Sequence, residues 1–272
     1  MFILYYFLIS FSLVGYGLLF SKILRLDFQN YGFLGLLGIT FSITISYLTS
    51  VFLTHNYIFN SIYLLSGFVS FLFFYKKKFN YKKNILLTFV IFLILLIFVF
   101  VAKNHDDFGY YHFPYSYLLT QMEHPVGMGL LNNGFRNHSS IFFLGSLFYL
   151  PKVSFYLLHL VPVYFLGFSN LILFEFIRNK KIFKSLKLIN FYSLLIIIFI
   201  NIFFYRLAEH GTDRSGMILI FLLSLLALLI LNTKDKSQNK NFFYFISIIS
   251  ALIFSLKPFY IIYSPLVLIV LF

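Results

Sequence analysis

The sequence predicts an all-α membrane protein in which a bundle of helices crosses the bilayer several times. Hydrophobic residues make up 61% of the 272-residue chain and charged residues only 11%, against a usual charged share of about a quarter. The mean hydropathy is +0.91, and the apolar residues form continuous runs rather than the short alternating segments of a membrane β-barrel. These observations exclude a soluble globular domain and a disordered chain.

Nine apolar runs approach the length of about 20 residues that a spanning helix needs. No linker or low-complexity sequence separates them, so residues 1–272 are predicted to form a single transmembrane domain. The first run is predicted to be a retained helix rather than a cleaved signal peptide. The last run has no closing loop, and we expect the chain to be a fragment of a longer protein. The predicted spans are 2–20, 31–53, 57–75, 85–102, 153–177, 186–205, 214–232, 241–256 and 259–272.

The basic residues alternate between loops, and this pattern predicts the topology. Four loops carry 15 of the 21 Lys and Arg residues, and the positive-inside rule puts such loops in the cytoplasm. Alternation requires that 103–152 is one external loop, in which the short run 139–150 lies in the membrane interface. The net charge of +13 is then a topology signal, and no nucleic-acid partner is predicted. The four basic loops are 21–30, 76–83, 178–187 and 234–240.

The external loop contains the one long polar segment of the chain, which reads KNHDDFGYYHFPYSYLLTQMEHPVGMGLLNNGFRNHS. Its aromatic and apolar residues argue against disorder. Pro114 suits the first turn of a helix, and Tyr117, Leu118 and Met122 then share one face. We expect two interfacial helices, joined by a turn at 132–134, that lie on the membrane and cover a cavity.

Two adjacent carboxylates, Asp106 and Asp107, directly follow the fourth apolar run. Ionisable groups at a membrane boundary are candidates for function. One carboxylate can act as a general base while the other orients a substrate or a metal ion. The alternative is a solvated start of the loop, with one Asp capping a helix.

Further polar side chains near this pair are candidates for binding a substrate. His105 and His112 flank the carboxylates and, with them, leave a divalent cation open as a cofactor. Tyr110 and Tyr111 suit either a sugar or lipid site or plain interfacial anchoring. Arg136, which precedes His138, suits either a phosphate or lipid headgroups. We include all of these among the predicted binding residues.

A second polar cluster, RLAEHGTDR, separates two later apolar runs at 206–214. Its Asp213 either caps the helix that follows or faces the same cavity as the acidic pair, where the start of a helix would also favour an anion. Lys257 lies at the external end of another run and either snorkels or meets a lipid phosphate. The predicted binding residues of this second region are Glu209, His210, Asp213, Arg214 and Lys257.

The loop NHDDFGYYHFPY resembles the first-loop acidic motif of the C-type (GT-C) membrane glycosyltransferases. The later stretches HGTDRSGMIL and SLKPFYIIYSP resemble two further features of that superfamily, in the same order, over about residues 85–272. Two departures stand out. The acidic pair follows the fourth run here and usually follows the first helix, and the chain lacks the further helices and soluble domain of many members.

The resemblance implies a GT-C-like fold and an inverting transfer of a sugar from a polyprenyl phosphate to a lipid-linked or cell-envelope glycan acceptor. Asp106 would be the base that deprotonates the acceptor, and Asp107 would orient the acceptor or a metal. Arg136, His112, Arg214 and Lys257 are then the candidates for holding the lipid phosphate. The implied location is a bacterial inner membrane, with the active face in the periplasm.

Three other readings remain open at the level of sequence. A polymerase or ligase of lipid-linked glycans would share the external site but rely more on Arg and His. A transporter or flippase would need polar residues or helix breaks at the middle of the membrane, where the runs are almost free of charge. A purely structural subunit would leave the polar loop unexplained.

Overall fold

The protein is built from α-helices joined by short turns. The description rests on a computed structural model. In the part of the chain that it describes there is no β-strand, and one isolated bridge pairs Leu150 with Ser154. The described residues are 1–77, 81–101, 105–178, 187–205, 207, 211–232 and 236–271.

Six helical segments of the described chain are long and apolar enough to cross a membrane, and they include α1 to α4, α8 and α10. They coincide with six of the nine predicted spans, so the predicted all-helical class, with several helices able to cross a membrane, is confirmed. The other three predicted spans form the shorter apolar helices α9, α11 and α12. In chain order the helices are α1 (Phe2–Ile23), α2 (Tyr31–Ser50), α3 (Tyr57–Phe74), α4 (Tyr81–Val99), α5 (Phe113–Gln121), α6 (Met128–Leu131), α7 (Ser140–Ser146), α8 (Val161–Arg178), α9 (Lys187–Phe203), α10 (Thr212–Asn232), α11 (Lys236–Leu256) and α12 (Pro265–Leu271).

The eighth helix is the centre of the bundle. In an apolar stretch of 18 residues within Phe155–Arg178, which contains α8, 89% of the residues are buried, whereas the corresponding shares are 22% in α3 and 28% in α4. A helix that is apolar on all sides is buried inside a protein or exposed to lipid. The exposed Leu, Ile and Phe side chains of α3 and α4 therefore indicate a surface that faces the hydrocarbon of a membrane.

Glycines allow α1 to pack closely on its two neighbours. A Cβ on Gly17 would lie 1.7 Å from the carbonyl oxygen of Leu34 in α2. A Cβ on Gly15 would lie 2.0 Å from the carbonyl oxygen of Gly67 in α3. Helices in lipid gain from van der Waals contact and lack a hydrophobic drive to associate, so small residues mark their interfaces.

Polar side chains inside the bundle find partners on neighbouring helices. The Tyr164 hydroxyl donates to the Tyr6 carbonyl oxygen at 3.0 Å, which links α8 to α1. The Asn170 and Asn201 amides exchange hydrogen bonds of 2.9 and 2.8 Å and link α8 to α9. Hydrocarbon offers no water to replace such bonds, so these polar groups stabilise particular helix pairings.

One end of the bundle, which we call the basic end, gathers segments predicted to be cytoplasmic. The Asn30 amide donates to Glu175 near the end of α8 at 2.9 Å. The Asn84 amide at the start of α4 donates to the Gln29 carbonyl oxygen at 2.7 Å. The loop after α1, the start of α4 and the end of α8 therefore meet at one level, as the alternation of basic loops predicts.

The loop that follows α4 folds over the opposite end, which we call the cavity end. It opens with a π-helix at Phe108–His112, which continues directly into α5. Pro114 lies in the first turn of α5 as predicted, and Asn132 begins a predicted turn by accepting the backbone N–H of Gly134 at 2.8 Å. The His55 backbone N–H donates to the Leu119 carbonyl oxygen at 2.9 Å, which joins α5 to the turn after α2.

The run 139–150 differs from its prediction. As expected, this run is too short to span the membrane. It does not lie on the membrane surface, however, because all seven residues of α7 are buried in the protein. The Ser46 hydroxyl of α2 donates to the Phe143 carbonyl oxygen at 2.7 Å. The physical reason is that this short helix is apolar on every side, so it has no polar face to present to water.

Candidate functional site

A cavity of about 730 Å³ opens at the cavity end of the bundle. Its walls come from the loop after α4, the end of α9, the start of α10 and the turn after α11. Such a volume lies within the usual range of small-molecule sites. The lining residues are His105, Asp107, Tyr111, His112, Arg136, Asn137, His138, Ser139, Phe204, Gly211, Thr212, Asp213, Arg214, Met217, Leu256, Lys257, Pro258 and Phe259.

The cavity brings together most of the residues that the sequence singled out, although they are separated by up to about half the chain. Both polar clusters and the Lys-Pro step contribute to its wall. The predicted residues that line it are His105, Asp107, Tyr111, His112, Arg136, His138, Asp213, Arg214 and Lys257.

Two described residues of the prediction are not among those that line the cavity. Asp106 and Tyr110 are exposed outside it, and the Tyr110 carbonyl oxygen accepts the Asn132 amide at 2.9 Å. The chain turns into the π-helix between the two adjacent carboxylates, so only one of them reaches the cavity. Of the pair, Asp107 is therefore the residue placed to contact a ligand in the cavity. Glu209 and His210 lie outside the described residues.

Asp107 immediately precedes the π-helix and is held by its neighbours. Its backbone N–H donates to Nδ1 of His105 at 3.1 Å. The same nitrogen lies 3.7 Å from Oδ2 of the Asp107 carboxylate. The Tyr111 hydroxyl hydrogen-bonds to the Asp107 carboxylate, and burial together with the charges of Asp107 and Asp213 raises the pKa of Tyr111 to about 12. Tyr111 is thus a hydrogen-bond donor to a half-buried carboxylate.

His112 ends the π-helix and is only 6% exposed. Its ring stacks on His105 with 6.0 Å between centroids and contacts Phe142 of α7 at 5.5 Å. Burial lowers the pKa of His112 to about 4, against the opposing charges of Asp107 and Asp213. The side chain is neutral at pH 7, so it does not supply a positive charge to the cavity.

The opposite wall contains an ion pair between Asp213 and Lys257. Asp213 lies in the first turn of α10, and Lys257 directly follows α11. The Tyr260 hydroxyl also donates to the Asp213 carbonyl oxygen at 3.2 Å. The pair therefore ties the start of α10 to the turn after α11, and the charge of Lys257 is matched by a carboxylate.

Arg136 differs from Lys257 in its surroundings. It closes a 3₁₀ turn at Asn133–Arg136, and its Nε donates to the Gly129 carbonyl oxygen at 3.2 Å. Within the described part of the chain, no carboxylate forms an ion pair with this guanidinium. The side chain is exposed at the cavity wall, so its remaining N–H groups can meet an anionic ligand.

His138 connects the cavity to a ring cluster beneath it. Its Nε2 is 2.9 Å from the Tyr47 hydroxyl, and its Nδ1 is 3.5 Å from the Tyr115 hydroxyl. The Tyr115 hydroxyl is also 3.1 Å from Nε2 of His124. These rings surround Phe143 of α7. The network fixes the loop against α2 and sets the orientation of His138 in the cavity wall.

The predicted divalent cation finds no ready site in this arrangement. Over the described ranges, no group of three or more His, Asp and Glu side chains is placed to hold a metal ion. Asp107 and Asp213 both line the cavity, and Oδ1 of Asp213 is paired with Lys257. The described residues therefore do not form a metal centre.

Several lining residues were missed by the sequence analysis. Met217, Leu256, Phe204 and Phe259 belong to apolar runs, where nothing in the sequence separates a cavity wall from a lipid-facing side chain. Asn137 and Ser139 flank a predicted histidine, and their proximity to His138 was the one available signal. The chain supplies apolar and polar walls together, as is usual for a site that binds an amphipathic molecule.

Comparison with known proteins gives one result. The chain matches, over residues 1–272, a family described as Domain of unknown function (DUF8201). No curated protein and no solved structure matches it.

The low pKa of His112 makes stability depend on pH. A histidine in the unfolded chain has a pKa of about 6.5, whereas His112 in the folded protein has a pKa of about 4. Between these two pH values the unfolded chain therefore binds one proton more than the folded protein does. Stability is therefore lost as pH falls through this window. Between pH 7 and pH 5 we expect His112→Gln to lose about 1–2 kcal/mol less unfolding free energy than the wild type.

Unfolding of the detergent-solubilised protein by a denaturant series at both pH values measures this difference. The same comparison between pH 7 and pH 8 is the control, because there His112 takes up only a small fraction of a proton in the unfolded chain and almost none in the folded protein. An equal loss in both proteins between pH 7 and pH 5 would show that His112 titrates alike in the folded and unfolded chains.

Proposed function

The chain belongs to the DUF8201 family, whose function is unknown, and we propose that its cavity transfers a sugar from a polyprenyl-phosphate donor to a lipid-linked or cell-envelope acceptor. The observation that carries the proposal is that a carboxylate and a guanidinium line the same cavity. Asp107, hydrogen-bonded to Tyr111, and Arg136, with no carboxylate partner among the described residues, line the same space. A base and an anion-binding cation are the two groups that this reaction requires.

The position of the cavity supports a lipid-linked donor. It lies at the end of the bundle opposite the basic loops, and by the positive-inside rule this end faces away from the cytoplasm. Soluble nucleotide sugars are cytoplasmic, so a transferase there takes its sugar from a carrier within the membrane. The proposed location is a bacterial inner membrane, with the cavity in the periplasm.

Asp107 is the proposed base. Its carboxylate accepts the proton of the acceptor hydroxyl while that oxygen attacks the anomeric carbon of the donor sugar. The bond between this carbon and the phosphate oxygen breaks, and the lipid phosphate leaves from the opposite face of the sugar. The configuration at the anomeric carbon therefore inverts. The Tyr111 hydrogen bond orients the carboxylate, and the other carboxylate oxygen remains for the acceptor.

Arg136 is the proposed partner of the leaving phosphate. Of the four candidate residues, His112 is neutral at pH 7 because burial lowers its pKa, and Lys257 is paired with Asp213. Arg214 also lines the cavity and stays a second candidate for the phosphate. The guanidinium of Arg136 retains a planar edge that matches two phosphate oxygens. Charge that develops on the phosphate as the bond breaks is stabilised there without reorganisation of water.

A polymerase or ligase of lipid-linked glycans is the second candidate. It is favoured by the sequence Arg136-Asn137-His138, all three of which line the cavity. Such an enzyme would use the same lipid phosphate but would depend on Arg136 and His138 more than on Asp107. A transporter or flippase has less support, because the polar pair Asn170 and Asn201 inside the bundle is mutually satisfied.

Substitution of the acidic pair tests the proposal. In membranes supplied with radiolabelled polyprenyl-phosphate sugars, we expect Asp107→Asn to lower the transfer rate by about 10²–10⁴-fold, because the base is lost. Asp106→Asn is the matched control: it removes the same charge from the neighbouring residue, which lies outside the cavity, and is expected to keep most of the activity.

Two results of this experiment would contradict the assignment. Loss of transfer in Asp106→Asn but not in Asp107→Asn would return the base to Asp106. Transfer that survives both substitutions but not a change at His138 would favour the polymerase or ligase. Thermal unfolding of each purified variant separates a loss of chemistry from a loss of fold.

Arg136 provides an independent test. We expect Arg136→Gln to lower kcat by about 10²–10³-fold, because the charge on the leaving phosphate is no longer stabilised. Arg136→Lys is expected to fall between Arg136→Gln and the wild type, since it keeps the charge but not the planar fork. Steady-state rates over a range of donor concentrations measure the effect, and equal rates in all three proteins would remove Arg136 from the site.

A further inference from the structure

The tip of the loop after α5 exposes an unusual number of apolar side chains. Val126 is 104%, Leu130 is 87% and Leu131 is 72% exposed. The seven residues from Pro125 to Leu131 carry no charge. Exposed apolar groups in a contiguous group mark a surface that contacts a partner or a membrane.

The backbone holds this tip in a defined shape. Gly127, with φ of +82°, adopts the left-handed conformation that turns the chain into α6. The Gly127 carbonyl oxygen accepts the Leu130 backbone N–H at 2.8 Å. The Gly129 carbonyl oxygen accepts Nε of Arg136 at 3.2 Å. The apolar side chains are therefore exposed by a folded turn that is tied to the wall of the cavity.

The tip is continuous with the surface of a spanning helix. The His124 backbone N–H donates to the carbonyl oxygen of Ser50, the last residue of α2, at 2.7 Å. Val51, Phe52 and Leu53, which follow α2 directly, are all exposed. The hydrogen bond places the start of the tip at the level where α2 leaves the hydrocarbon, beside three further exposed apolar residues.

We propose that residues 125–131, together with Val51, Phe52 and Leu53, form a membrane-contact patch that inserts into the boundary between lipid headgroups and acyl chains. The occupant of this patch is the lipid surface itself. Apolar side chains on a short turn gain by entering this boundary, whereas in water they would remain hydrated. The Arg136 bond to Gly129 then seats one wall of the cavity directly at the membrane surface.

The patch lies within the loop predicted to be interfacial, but on different residues. In the predicted face, Tyr117 and Leu118 of α5 are half-buried, and Met122, directly after α5, is exposed. The proposed contact with lipid extends this face into the turn that follows α5. This inference does not depend on the chemistry of the cavity.

The chain contains no tryptophan, so a single introduced Trp reports its own surroundings. We would reconstitute Leu130→Trp in phosphatidylcholine and phosphatidylglycerol vesicles, with and without bromine on the phosphatidylcholine acyl chains. The expected result is fluorescence quenched about twofold by the brominated lipid, with emission shifted to the blue. Val126→Trp is the second variant, and at this fully exposed position an indole meets no neighbour that would disturb folding.

Two controls frame the measurement. Ile97→Trp, on the exposed surface of the spanning helix α4, reports full contact with lipid. Asn133→Trp, at an exposed polar position in the next turn of the same loop, reports a loop residue outside the patch and is expected to be quenched less than Leu130→Trp.

Either of two outcomes would overturn the proposal. Quenching of Leu130→Trp and Val126→Trp no stronger than that of Asn133→Trp, while Ile97→Trp is quenched, would put the patch in water. Protection of both tryptophans from brominated lipid and from aqueous iodide would mean that a second copy or another protein covers the patch. The readout is fluorescence, so failure here is distinct from failure of the proposed sugar transfer.

Discussion

The absence of water from the hydrocarbon core of a membrane governs this structure. A polar group left without a partner there is costly, so polar side chains either pair within the bundle or move to its ends. The Asn170–Asn201 pair and the Tyr6–Tyr164 bond are the first solution. The basic end and the cavity end are the second. The two ends of the bundle therefore differ chemically, and the cavity of about 730 Å³ lies at the end opposite the basic end.

The cavity is assembled from segments that the sequence keeps far apart. Asp107 and Arg136 come from the loop after α4, whereas Asp213 and Lys257 come from the later helices. The Asp213–Lys257 pair and the ring cluster around Phe143 hold these segments in place. The charges of Asp213 and Lys257 are thus matched to each other, whereas no carboxylate of the described residues forms an ion pair with Arg136. This division of roles supports the proposed transfer of a sugar from a lipid phosphate.

Much of the fold could be predicted because membrane helices are specified by composition and length. Six spans, the Pro114 helix start and the turn at Asn132 follow from local rules. The π-helix at Phe108–His112 could not be predicted, because no residue preference marks it, and it decides that Asp107 rather than Asp106 reaches the cavity. The burial of α7 depends on its packing against α2 and α5, which an isolated segment does not reveal.

The proposed function depends on the orientation of the bundle in the membrane, since a lipid-linked donor is required only if the cavity faces away from the cytoplasm. The chain has no cysteine, so single cysteines can be introduced at Asn137 in the cavity wall and at Lys83 at the basic end. In spheroplasts, a membrane-impermeant maleimide should label Asn137→Cys directly and Lys83→Cys only after the membrane is opened. Labelling of Lys83→Cys in sealed spheroplasts, with Asn137→Cys protected until lysis, would contradict the account.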